Sequence, residues 1–243
     1  MNTPTTDNKN NQGTKAVMLP SPVLQFHDNA NNTATHMEDT SKHQGRTRSF
    51  AHERGIWASY VFIDYSDADG WIELQNECKT FLDTTATRDF VPIEQMHLSL
   101  TKTFTIRHHN IAPFVENLRE QLAGHRRFRL EFSGLEVYVN EERTRTFVGV
   151  RVAKESYSPI NELVTSVDEC LAEYKLPLFY TDRSFHVSIL WCLGDREAEV
   201  RKELPAITTV FERVYEEEYC DISQQVKQLW FKCGNKMFNF DLI

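Results

Sequence analysis

The chain has 243 residues, 40% of them hydrophobic and 26% charged, with a formal net charge of −8. This is enough apolar material for one large core or two small lobes, but the acidic balance argues against a broad basic surface for long nucleic acid and leaves only a short end held by local donors. Cys78, Cys170, Cys192, Cys220 and Cys233 are scattered and form no C-x-x-C pair, and no apolar run reaches bilayer length, so a disulfide framework, a zinc knuckle and a membrane partner are not expected.

Residues 1–50 are rich in Asn, Thr, Ser, Asp and Gln, and their one apolar patch at 16–26 is broken by Pro20 and Pro22. Such a segment cannot offset its ordering entropy, so 1–50 is expected to be a disordered tail and 51–243 the folded unit. G-I-W-A-S-Y-V-F-I-D (55–64) predicts a strand, and the spacing of Trp71, Leu74, Cys78, Phe81 and Leu82 predicts a helix over 71–83. A strand follows at 96–106, then a helix at 110–122 with Pro113 in its first turn. Strands at 128–139 and 144–152 flank N-E-E-R as a hairpin loop, and a helix at 158–174 returns to a strand at 184–191. The acidic stretch 195–218 reads as helix interrupted by Pro205, and 225–233 with 236–240 reads as a hairpin around Gly234-Asn235. Strands mixed with helices, without a β-α-β-α rhythm or a Gly-rich phosphate loop, predict an α+β fold.

Two short stretches carry chemistry: H-L-S-L at 97–100 and H-V-S-I at 186–189. Side chains alternate along a strand, so His97 shares a face with Ser99, and His186 with Ser188. Leu98, Leu100, Val187 and Ile189 point the other way. If the two strands lie side by side, two imidazoles and two hydroxyls converge on one cleft. That set suits phosphodiester cleavage in RNA. One neutral imidazole takes the proton of a 2′-hydroxyl, a protonated one gives a proton to the departing 5′-oxygen, and the hydroxyls bind the non-bridging oxygens. No metal or other cofactor is required. His108, His109 and His125 lack metal-ligand spacing, and Glu216–Glu218 read as a solvated helix face.

The residues around the motifs narrow the reading. H-L-S-L-T-K-T-F-T-I-R-H-H-N-I-x-P-F, E-E-R-T-R-T-F-V-G, F-Y-T-D-R-S-F-H-V-S-I-L-W-C-L-G-D and K-C-G-N-K resemble the U6 small nuclear RNA phosphodiesterase family of the two-histidine phosphoesterase superfamily, over most of 55–243. The resemblance implies two antiparallel sheets related by a pseudo-two-fold, with flanking helices and both histidines in the groove between lobes. It implies a nuclear 3′–5′ exonuclease that removes terminal uridines or adenosines from U6 snRNA by metal-free transesterification and leaves a 2′,3′-cyclic phosphate. Carried over by position, His97 is the base and His186 the acid, with Ser99 and Ser188 as phosphate contacts. Tyr180 would stack the terminal base, and Ser184, Phe185, Leu98, Val187 and Glu141 would complete the substrate-binding set. At Glu141 the N-E-E-R loop departs from the family's neutral amide, and a carboxylate there would face RNA less favourably. The expected partner is a single-stranded RNA 3′ end, bound by a monomer. A 2′,3′-cyclic phosphodiesterase acting on small nucleotides or RNA ends could use the same pair, and a non-catalytic RNA 3′-end binder is the alternative of another class.

Overall fold

The structure, a computed structural model, describes residues 17–19, 55–85 and 89–243. In chain order the elements begin with β1 (Val17–Leu19), β2 (Ile56–Asp64), α1 (Asp69–Thr84), β3 (Val91–Pro92), β4 (His97–Ser99) and β5 (Phe104–Arg107). Next come α2 (His108–Leu122), β6 (Phe128–Arg129), β7 (Phe132–Asn140), β8 (Arg145–Val152), α3 (Tyr157–Glu173) and β9 (His186–Leu193). The chain closes with α4 (Glu197–Glu217), α5 (Tyr219–Ile222), β10 (Gln225–Val226), β11 (Gln228–Cys233) and β12 (Lys236–Asp241).

Ten strands form one sheet in the order β1-β7-β8-β9-β4-β2-β11-β12, with β3 on β9 and β5 on β2. Every pairing in it is antiparallel except β1, which runs parallel to β7. The two antiparallel sheets expected from the resemblance are thus two halves of this sheet, β7-β8-β9 and β4-β2-β11-β12. They join edge to edge through the register pair Leu98↔Val187. Strands β6 and β10 form a separate ribbon.

The helices form because their apolar residues recur at helical spacing. Trp71, Leu74, Cys78 and Leu82 of α1 are buried, as are Ile111, Phe114, Leu118 and Leu122 of α2. Ile160, Leu163, Val164, Val167 and Leu171 of α3 and Val200, Ile207, Phe211 and Val214 of α4 complete the set. These stripes pack into one core with the inward residues of the sheet, among them Val61, Ile63, Leu98, Val187, Ile189 and Phe231. Buried Gln75 fastens α1 to the strands: its Nε2 donates to the carbonyls of Ile93 and Ile189 at 2.9 and 2.8 Å.

Several elements differ from the sequence reading. The strand expected at 96–106 is two strands, because β2 pairs Phe62 with Ser99 but Ser59 with Phe104. Residues 100–103 therefore bulge, and Thr101 Oγ1 takes the Val61 N–H that a strand carbonyl would otherwise accept, at 3.0 Å. Helix α2 begins at His108, which puts Pro113 in its interior, and α4 runs unbroken through Pro205. Both prolines are exposed, so the carbonyls they leave without a helical donor are on the solvent side. Within the segment expected to be a tail, Val17–Leu19 pair with Tyr138–Asn140, since three residues need only backbone hydrogen bonds to extend an open edge. The rest of that expectation lies outside the described residues. The hairpin at Gly234-Asn235 forms with Gly234 at φ 59°, and a side chain there would collide with the Trp57 ring. The cysteines are free, and all but Cys220 are buried.

Candidate active site

The pair Leu98↔Val187 fixes the geometry. Carried one residue either way, antiparallel register sets His97 opposite Ser188 and Ser99 opposite His186, all on the face away from the core. Leu98 and Val187 are fully buried beneath them. The two histidines are diagonal neighbours, a relation that places backbones about 7–8 Å apart. A phosphodiester fits between two rings at that separation.

The same device orients both rings. His97 Nδ1 lies 2.7 Å from the Gln95 carbonyl, and His186 Nδ1 lies 3.0 Å from the Ser184 carbonyl. A carbonyl only accepts, so each Nδ1 carries the proton and each neutral ring keeps an unprotonated Nε2. Burial holds the pKa of His186 down to about 4, against the Ser184 carbonyl, with the neighbouring His97 lowering it further. Burial also lowers that of His97, where the Gln95 carbonyl and Asp64 favour the cation and Lys232 disfavours it. Both rings are therefore neutral near pH 7, ready to accept a proton.

Different walls support the two rings. His97 packs against Tyr60 and Phe62, each at 5.3 Å between centroids. His186 stacks on Tyr138 at 3.8 Å and 17°, across the space left by Gly149 of β8. Tyr138 is fully buried, and its hydroxyl lies beside Ser184 without a well-formed hydrogen bond.

The loop between α3 and β9 carries Tyr180. Helix α3 ends with Lys175 at φ 54° and a bond from Leu176 N to the Leu171 carbonyl, and Asp168 then accepts from Phe179 N at 2.8 Å. Half-buried Tyr180 lies under Lys102, whose Nζ is 4.5 Å from the ring centroid, and Lys102 comes from the bulge after β4. Glu141 is near enough to help raise the Tyr180 pKa, after burial, to about 12. Tyr180, Ser184 and Glu141 therefore gather at the His186 end of the groove.

Three residues of the expected substrate-binding set do not reach it. Leu98 and Val187 lie on the core face of their strands by alternation, and Phe185, next to His186, is buried against Tyr157 and Phe179. Their side chains build the floor of the site. Conversely, the sequence reading missed Tyr60, Asp64, Lys102, Tyr138, Gly149 and Lys232. Only Gly149 carried a local signal, a glycine inside a strand. Of the histidines set aside, His125 bonds Ser166 Oγ at 2.9 Å, and His108 and His109 are exposed on α2. Among the described residues no group of three or more His, Cys, Asp or Glu could hold a metal ion.

A family model described as HVSL, an uncharacterised conserved protein, matches residues 18–241. The U6 snRNA phosphodiesterase 1 of Bos taurus is 35% identical over 92% of this chain and 84% of its own length. The Homo sapiens protein of the same name is 35% identical over 84% of this chain and 77% of its length. Among solved structures, Kluyveromyces marxianus Usb1 with uridine monophosphate superposes with a TM-score of 0.56 at 15% identity, covering 77% of this chain and 99% of that one.

Proposed function

The chain belongs to the U6 snRNA phosphodiesterase family, and on that premise we propose that it shortens the 3′ end of U6 snRNA one nucleotide at a time by transesterification. The observation that carries the chemistry is the diagonal pair of histidines, each with Nδ1 bound to the carbonyl two residues earlier and Nε2 left free. His97 Nε2 takes the proton of the penultimate 2′-hydroxyl, and O2′ attacks the adjacent phosphorus. The P–O5′ bond breaks, and the terminal nucleoside leaves as its O5′ takes a proton from His186 Nε2. Ser99 and Ser188 donate to the non-bridging oxygens, where transition-state charge concentrates. A 2′,3′-cyclic phosphate remains on the shortened strand.

Neutral His186 must first be loaded with a proton, and the diester's negative charge between the rings favours that imidazolium. Tyr180 supplies the platform for the terminal base, since stacking on an aromatic accepts uridine or adenosine alike. The uridine monophosphate held by Kluyveromyces marxianus Usb1 supports a uridine-compatible pocket in this fold. Under this reading the protein is a monomer that works in the nucleus on a single-stranded end, without a cofactor, through its 51–243 unit.

The test is to incubate oligouridine with the protein in EDTA and weigh the products. Shortened strands bearing a cyclic phosphate are expected from wild type and not from His97→Ala or His186→Ala. A deoxyribose at the penultimate position should block cleavage. Cleavage that stops on chelation would overturn the mechanism. An intact oligonucleotide alongside a hydrolysed 2′,3′-cyclic nucleotide would assign the site to cyclic phosphodiester opening instead.

A further inference from the structure

We propose that the groove beyond His97 is the subsite for the penultimate nucleotide, with Lys232 receiving its 5′-phosphate and Trp230 its base; this rests on the reading that the site cleaves the 3′-terminal diester. Strand β11 pairs Trp230 with Phe62 and Lys232 with Tyr60, and β2 pairs Phe62 with Ser99 and Asp64 with His97. Directly paired residues share a face, so Gln228, Trp230 and Lys232 line the same surface as the two histidines. Tyr180 and Glu141 occupy the His186 end. With the leaving nucleoside there, the strand that stays attached must depart across β2 and β11.

Lys232 is suited to a phosphate. Its Nζ donates to Gln95 Oε1 at 3.1 Å, and Gln95 is the residue whose backbone carbonyl holds His97. The Tyr60 hydroxyl donates to that same side-chain oxygen at 3.3 Å, and the ammonium lies 5.9 Å from the Tyr60 ring. Among the described residues Lys232 has no carboxylate in ion-pair contact, whereas Arg143, Arg196, Arg201 and Arg213 are each held by two. In a chain of net charge −8, a half-buried ammonium near His97, partnered by a neutral amide and a neutral ring, leaves its charge for an incoming anion.

Further along β11, toward Trp230 and Gln228, a cavity of 420 Å³ opens, lined by Asp64, Gln224, Gln228 and Trp230 among others. That volume accepts a nucleobase. The carboxylates of Asp64, Asp67, Asp69 and Asp221 on its wall repel a phosphate but accept base N–H groups, while the glutamine amides can donate or accept. The half-exposed Trp230 indole offers a stacking face. Phosphate on Lys232 and base in the cavity would set the penultimate ribose over His97, where its 2′-hydroxyl must be.

Uncleavable dinucleotides test this: UpU and 5′-phosphorylated pUpU, each with deoxyribose in the first nucleotide, titrated against the full chain. The 5′-phosphate should tighten binding about tenfold in wild type and less than twofold in Lys232→Met. Deleting the first base should weaken wild type about tenfold and Trp230→Leu much less. Equal affinity of wild type for the two dinucleotides, or an undiminished phosphate advantage in Lys232→Met, overturns the proposal. All-ribose pUpU run in parallel separates it from the trimming reading. Cleavage without a phosphate advantage sinks the subsite alone, whereas a phosphate advantage without cleavage sinks the trimming reading and leaves the subsite standing.

Discussion

Gly149→Ala is the sharpest probe of how the site is built. A Cβ on residue 149 would lie 2.9 and 3.1 Å from Cε2 and Cδ2 of Tyr138 and 3.2 Å from Cδ2 of His186. Carbon atoms pack comfortably at about 3.5–4.0 Å, so the rings must retreat by roughly half an ångström. Tyr138 is fully buried and cannot yield easily. The displacement therefore passes to His186, which is stacked on Tyr138 and tethered through Nδ1. Overpacking of this kind costs about 1–3 kcal/mol of stability. Misplacing a catalytic group by about 1 Å can cost about a hundredfold in rate, so half that shift predicts a fall in kcat of about tenfold, with KM little changed. The assay is steady-state trimming of oligouridine beside urea unfolding of the same preparation. Tyr138→Leu removes the aromatic carbons that the new Cβ meets, so in the double variant the two losses should be less than additive. A stably folded Gly149→Ala protein with wild-type kcat would refute the claim that the Tyr138 stack positions the acid.

Other consequences can be measured in the same way. Glu141→Gln should tighten oligouridine binding about twofold to fivefold at low salt, with the gain fading as salt is raised, because a partly exposed carboxylate near Tyr180 repels phosphate weakly and is screened. Titrations at two ionic strengths check this. Gln75→Leu removes the donor to the Ile93 carbonyl and one of two donors to the buried Ile189 carbonyl, which keeps the Ile93 N–H, and should cost about 1–2 kcal/mol in urea unfolding without changing cleavage chemistry. Burial lowers both groove histidines, His97 and His186, from their ordinary value, His186 to about 4, so the folded chain binds fewer protons than the unfolded one between that value and the ordinary histidine range. Stability should therefore fall as pH drops through this window, and fall less steeply in His186→Asn, as read by melting temperature. For kcat/KM, one ring must be neutral and the other protonated, which sets the maximum on the acid side of about pH 6.5, the ordinary histidine value. A rate still rising above pH 8 would contradict it.

What was legible in the sequence was the repeating geometry. Period-two alternation was enough to put His97 with Ser99 and His186 with Ser188, and it also implied that Leu98 and Val187 belong to the core, where the structure has them. Including them among the substrate contacts followed the motif's outline over its alternation. Helix α1 and the hairpin after β11 were readable because apolar spacing and Gly-Asn turn chemistry are local signals. Pairings across long separations were not. Tyr138 meets His186 from 48 residues away in sequence, and nothing in its own neighbourhood marks it. The bulge at 100–103 depends on the Thr101 hydroxyl replacing a carbonyl of a partner strand, which alternation along one strand cannot show. That bulge releases Lys102 to Tyr180 and so shapes the Tyr180 end of the groove.

The backbone around the pair is nearly symmetric, so the division of labour must come from the flanks. Each ring is held by the carbonyl two residues earlier, and each faces a serine across the joint between the half-sheets. Around His97, however, β2 and β11 add charges: Asp64 favours the imidazolium, while Lys232 disfavours it. A base gains a positive charge as it acts, and Asp64 is placed to stabilise that charge as it develops. The ammonium's opposing effect diminishes once a phosphate lies against it. His186 instead has the neutral Tyr138 ring on one face and burial around it, with no carboxylate among the groups that shift it. Near neutral pH an entering anion would favour its protonated form, which suits the acid role proposed for it. Removing Asp64 should therefore slow proton abstraction more than it weakens binding: Asp64→Asn is expected to lower kcat by about threefold to tenfold, the scale of one partly screened charge. The acid limb of its pH–rate profile should move to lower pH. A profile that is displaced only on the alkaline side would instead tie Asp64 to the acid and reverse the roles of the two histidines.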